Sequence, residues 1–234
     1  MKSSKCCCKT NIPYEVQYSN RKTIEIAVHP DGRVFVKAPA KTTSKTIQDR
    51  VLKRTKWITE KIGYFRQFEP KMPTRLYVGG ETHLFLGRQY RLKIIAGKRS
   101  DVKLKGAFFY VTTLDPNDSN KVKKLLYMWY RNHGRSIFEI RLGICLKTAQ
   151  KLNLPTPKIL LRKLKKRWGS CTKTGYILLN TDLIKTPLYC IDYVIMHELC
   201  HIKIARHNKK YYQTLSKYMP DWGKRKLRLE NAMI

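Results

Sequence analysis

The chain has 234 residues, 42% of them hydrophobic, and 49 Lys and Arg against 16 Asp and Glu, a formal net charge of +33. That length buries a core large enough for one large domain or two small ones. An aromatic content of 11% and apolar residues spread along the chain exclude a disordered basic tail, while a charge of +33 leaves most basic side chains facing water or an anion.

Residues 1–12 read as a flexible tail. Its start, MKSSKCCCKT, lacks the apolar stretch of a signal peptide, and no apolar run approaches the roughly 18 residues of a membrane span. The seven cysteines, three of them adjacent at Cys6, Cys7 and Cys8, form an odd set of thiols that suits a reducing compartment, so the chain reads as cytoplasmic. From Tyr14 to Lys37 polar and apolar residues alternate, and Pro30-Asp31-Gly32 joins two of the runs as a hairpin. Ser44 or Thr43 then caps a helix from about Lys45 to Arg66, in which Ile47, Val51, Leu52, Trp57, Ile58 and Ile62 recur near the 3.6 period. The segment RLYVGGETHLFLGRQYRLKIIAG reads as three short strands broken at Gly79-Gly80 and Gly87, and VKLKG with AFFYVTT as a further hairpin. Residues 13–114 are thus expected to form a mainly antiparallel β domain with one helix.

Composition changes at Asp115-Pro116-Asn117-Asp118, a turn-and-cap cluster that opens a helix to about Lys151. Val122, Leu125, Leu126, Trp129, Ile137, Ile140, Leu142 and Leu146 supply its apolar face, and Gly134 is a point where it could kink. Three short strands follow in KILLRKL, KRWGSC and GYILLN, expected as a short antiparallel sheet. Pro187 begins a helix to about Ile204, and two shorter helices start after Asn208 and after Pro220-Asp221. Residues 115–234 are expected to be a second, more helical domain, and the whole an α+β protein.

Within the Pro187 helix lies His197-Glu198-Leu199-Cys200-His201. Two histidines four residues apart lie about 40° apart around a helix, so both imidazoles reach one ion, and Glu198, displaced by a further 60°, is placed to take a proton from the attacking water. That division of labour is the one zinc hydrolysis needs. Its setting, VIMHELCHI, is apolar, where polar side chains are costly unless they share a partner. A catalytic zinc takes three protein ligands. His207, six residues beyond His201 and followed by the capping residue Asn208, is the candidate for the third; Asp221 and Glu230 are the rival carboxylates. His29, His83 and His133 read as surface or packing residues, and Cys171 and Cys200 as small packing residues.

Three stretches, KKRWGSCTKTGYILLN (165–180), IDYVIMHELCHIKIARHNKKYY (191–212) and MPDW (219–222), with TRLYVGGETHLFLGRQYRL and KWITEK in the first half, resemble the YgjP-like metallopeptidases. That family is related in its catalytic region to SprT-like and other zincin peptidases. The resemblance covers nearly the whole chain. It implies a zincin-like catalytic region in 115–234, one zinc held by His197, His201 and His207, and Glu198 as general base. Asn208 stands where the family pattern more often carries Ser, and caps equally well. The strands around Arg167 to Asn180 either border the substrate cleft or only pack and turn.

Between Lys158 and Arg228 there are 17 Lys or Arg against four acids. A positive rim attracts polyanions, and no helix-turn-helix, zinc finger or glycine-rich phosphate loop is visible, so nucleic acid would be bound without sequence preference. The function expected is a zinc metallopeptidase acting on polypeptide. The alternatives are a zinc-dependent nucleoside triphosphate pyrophosphatase, which would take nucleotide, and a non-enzymatic nucleic-acid-binding module with a structural zinc.

Overall fold

A computed structural model of the chain describes residues 3–6, 12–29, 31–66, 75–164, 167–172 and 175–231. It divides into two compact units, residues 1–72 and 73–233.

The first unit is a four-stranded sheet with two helices. Strands β1 (Ser3–Cys6), β2 (Pro13–Ser19), β3 (Glu25–Val28) and β4 (Val34–Pro39) lie in the order β1-β2-β4-β3. Ser3–Cys6 pair with β2, so this part of the expected tail is a strand; Cys7 and Cys8 lie outside the described residues. The predicted hairpin joins β3 to β4, its Pro30 also outside them. Alternation puts Tyr14, Val16, Val34 and Val36 on one buried face, where Ile47, Val51 and Ile58 cover them. The expected single helix is two, α1 (Ser44–Lys53) and α2 (Thr55–Arg66), with Thr43 as the cap. The break falls at Arg54, where the Thr55 hydroxyl donates to the Leu52 carbonyl at 2.9 Å, competing with the helical ladder.

The second unit starts with β5 (Thr82–Phe85), β6 (Arg88–Ala96), β7 (Asp101–Lys105) and β8 (Phe108–Thr113), ordered β5-β6-β8-β7. The third strand expected before Gly79 does not form. Leu76 and Tyr77 donate their backbone N–H groups to the Glu81 carboxylate at 3.0 and 2.7 Å instead of to a neighbouring strand. Helix α3 (Ser119–Thr148), capped by Asp118, runs unbroken through Gly134. Its buried stripe is Val122, Leu126, Trp129, Phe138, Leu142 and Cys145, whereas Ile140, expected on that face, is 64% exposed. Strands β9 (Lys158–Arg162), β10 (Gly169–Cys171) and β11 (Tyr176–Asn180) form a sheet ordered β10-β11-β9. Helices α4 (Leu188–Lys203), α5 (Lys209–Tyr218) and α6 (Trp222–Asn231) complete the unit. No helix among the described residues is long and apolar enough to cross a membrane.

The architecture is α+β, with two differences from expectation. Each sheet contains one parallel pair, β2 with β4, β6 with β8 and β9 with β11, so the two four-stranded sheets are mainly antiparallel as expected and the three-stranded one is mixed where an antiparallel sheet was expected. The partition of the chain into 13–114 and 115–234 does not follow the compact units. Phe85, Leu92, Phe109 and Val111 lie in one core with Trp129, Leu142, Ile177 and Ile191. The change at Asp115 therefore marks the cap of α3 inside the second unit, whose contact boundary falls at residues 72/73.

Candidate metal centre and active site

Helix α4 is apolar nearly all round, and ten of its residues are buried. Its position is fixed at the start by Asp192, which accepts from the Arg141 guanidinium of α3 at 2.6 Å and lies 3.7 Å from Arg225 of α6. A buried carboxylate held by two arginines satisfies its charge and ties three helices together. Two turns on, the helix carries His197, Glu198 and His201.

The structure brings His197, His201 and His207 together. Helix α4 ends at Lys203, with Ile204 extended as its C-cap, and the chain turns so that His207 comes back over His201 just before Asn208 caps α5, its side chain accepting from the Tyr211 N–H at 3.0 Å. The three Nε2 atoms lie 2.9, 3.1 and 3.2 Å apart. Among the described residues this is the one group of three or more His, Cys, Asp or Glu that could hold a metal ion. Both rival carboxylates are engaged elsewhere: Asp221 accepts from Arg225 at 2.8 Å, and Glu230 pairs with Lys226 at 3.8 Å.

The donor set fits a zinc ion. His201 donates its Nδ1–H to the Ile204 carbonyl at 3.0 Å, which turns Nε2 toward the other two rings. Burial, reinforced by His201, His207 and Lys226, lowers the His197 pKa to about 3, and burial with His201 and Lys226 lowers that of His207. These shifts favour the neutral form of both rings, as ligation requires. The Nε2 separations approach the ~3.3 Å edge of a tetrahedron with arms of about 2.0 Å. His197 Nδ1 is buried with no hydrogen-bond partner among the described residues.

Glu198 is buried beside them. Burial raises its pKa to about 7, opposed by the Cys171 backbone N–H that donates to it and by the Arg167 charge. Strand β10 passes so close that a Cβ on Gly169 would lie 2.8 Å from Glu198 Oε1 and 3.0 Å from Val194 Cγ1. A cleft of about 180 Å³ opens here, lined by Arg167, Trp168, Tyr193 and Lys226 as well as by His197 and Glu198.

Two residues of the site escape sequence reasoning. Tyr211, fully buried, donates its hydroxyl to the His197 carbonyl at 3.2 Å and stacks on His201 with ring centroids 4.6 Å apart. Gly169 makes room for Glu198. The remaining histidines take packing positions: His133 stacks on Trp129 at 3.9 Å, His29 lies against Phe35, and His83 is buried beside Glu81. Cys200 is buried, and Cys171 partly so.

The model of the YgjP-like metallopeptidase domain matches residues 22–232, and the chain belongs to that family. It is a metallohydrolase of the metallopeptidase kind. Among solved structures, the metallopeptidase zymogen abylysin of Pyrococcus abyssi is 22% identical, with a TM-score of 0.34 over 37% of this chain and 85% of that one. No curated protein matches the sequence.

Proposed function

We propose that the protein is a zinc-dependent metallopeptidase in which His197, His201 and His207 hold one zinc ion, Glu198 is the general base, and the substrate is an extended polypeptide. The convergence of three imidazole nitrogens within 3.2 Å, beside a buried carboxylate, is the observation that supports it. Zinc bound there supplies a Lewis acid that polarises a carbonyl and brings the pKa of water near neutrality. Glu198, with its pKa near 7, takes a proton from the attacking water and passes it to the leaving nitrogen. The Cys171 N–H holds the Glu198 carboxylate, and Tyr211 holds the backbone of α4 at His197. Strand β10 is an edge of its sheet, and its backbone can pair with an extended peptide.

The test is hydrolysis of an unstructured polypeptide by zinc-loaded protein. Purified protein should carry about one zinc per chain, and Glu198→Gln should lose roughly a hundredfold or more in rate while keeping its metal. Hydrolysis of nucleoside triphosphates with the same dependence on Glu198 would keep the machinery and change the substrate. Full metal content with no hydrolysis of either would leave a binding module.

A further inference from the structure

A second cleft lies away from the histidines and shares no lining residue with theirs. It encloses about 390 Å³ within the second unit, in the size range of small-ligand sites. Three segments build it: Tyr77 before β5, the α3 face carrying Lys123, Lys124 and Tyr127, and the stretch after β9 with Lys163. Lys185 and Asp182 close it.

Four ammonium groups therefore face one carboxylate. Asp182 is already taken by Lys185, 2.5 Å away. Lys123, Lys124 and Lys163 make no ion pair among the described residues, and cations gathered in a concave site raise the local potential for an anion. Aromatic faces are interleaved with them. Lys123 Nζ lies 5.7 Å over the Tyr77 ring, and Lys185 Nζ lies 5.3 Å over that of Tyr130. Tyr77 adopts φ +60°, a left-handed conformation rare for so bulky a residue, and Glu81 clamps its N–H at 2.7 Å. A bare phosphate would use the lysines alone, whereas this cleft offers cations and flat rings together.

We propose that the cleft binds a nucleotide unit, free or within single-stranded nucleic acid, with its phosphate on Lys123, Lys124 and Lys163 and its base against Tyr127 and Tyr77. Alternating cations and aromatic faces are how single strands are held without sequence preference.

The test is fluorescence anisotropy of a labelled oligothymidylate titrated with the intact protein at several salt concentrations. Lys123 and Lys124 are exposed, so the double variant K123E/K124E should fold. It should bind more than tenfold less tightly, and its log–log salt slope should flatten by about 1.4, for two single-strand phosphate contacts. K98E/K105E, the same change of net charge at exposed positions outside the cleft, should shift affinity by less than about threefold. Tyr127→Ala should weaken binding about fivefold or more with the slope unchanged. Displacement of the oligonucleotide by thymidine monophosphate would identify a self-contained nucleotide site, and displacement only by longer strands would identify a chain-tracking one. Equal effects of the two lysine pairs, unchanged affinity in Tyr127→Ala, or equal displacement by polyglutamate would overturn the proposal.

Discussion

The two compact units bury different chemistry. Among the described residues, the first encloses only apolar and aromatic side chains, Val36 and Ile58 at its centre, whereas the second also encloses His83, Asn180, Asp192 and Glu198. Each of these has partners. The Asn180 amide, for example, donates to the Leu164 and Arg167 carbonyls at 2.9 and 3.2 Å and so holds the approach to β10. A buried polar group left without partners costs about 1–3 kcal/mol, so it fixes geometry in a way that non-directional packing does not. Perturbing the first unit should change stability alone, and perturbing the second should change chemistry first.

The largest effect expected tests the second half of that contrast. His207→Ala removes one of the three proposed ligands, so zinc affinity should fall by more than the roughly 10–100-fold typical of an outer-shell change. His133→Ala and Asp221→Asn should leave it unchanged, as measured by competition with a chelating dye. Full zinc affinity in His207→Ala would return the third position to another residue.

Ile58→Ala tests the first half. The side chain is 0% exposed, and its truncation should cost about 2–5 kcal/mol in denaturant unfolding of the intact chain. Zinc content should stay at its original level. A loss of zinc under native conditions would mean that the apolar unit also supports the metal centre.

How much of this was legible in the sequence differs between the units too. The spacing of His197, Glu198 and His201 and the cap at Asn208 are local facts, and the residues that carry them are where sequence reading put them. Strand pairing was not legible. Alternation names the face a residue takes but not the neighbour of its strand, so β2 beside β4 in parallel could not be told from a meander. The missing strand at Leu76 was hidden for another reason, since a side chain, Glu81, satisfies its backbone. The division at 72/73 was invisible because the buried residues of β5, β6 and β8 reach their core partners only in three dimensions.

His83 supplies a pH test confined to the second unit. Burial, aided by Arg75 and opposed by Glu81, lowers its pKa to about 4 from 6.5. Between these values the unfolded chain binds a proton that the folded chain refuses, so stability falls as pH drops from about 6.5 to about 4 and loses nothing more from this group below that. The loss is at most about 3 kcal/mol. In His83→Gln the decline over that window should be shallower in denaturant titrations at pH 7 and 4.5. An identical decline in both proteins would assign it to other groups.

The smallest effect expected is also the most local. At Gly169 a methyl group would lie 2.8 Å from Glu198 Oε1 and 3.1 Å from its Cγ. The nearest atom is the end of the Glu198 side chain, and Val194 Cγ1 at 3.0 Å must give by a few tenths of an ångström, so Gly169→Ala should fold with about 1–3 kcal/mol lost. Glu198 must move too. It then loses the orientation set by the Cys171 N–H, and a displacement of a few tenths of an ångström in a proton acceptor should lower kcat about tenfold, with KM and zinc content nearly unchanged. Gly169→Ser, which adds a hydroxyl able to donate to the same oxygen, should fall between glycine and alanine if the carboxylate can be recaptured. Wild-type kcat in Gly169→Ala would show that the close passage of β10 does not position the base, and that the glycine serves the strand alone.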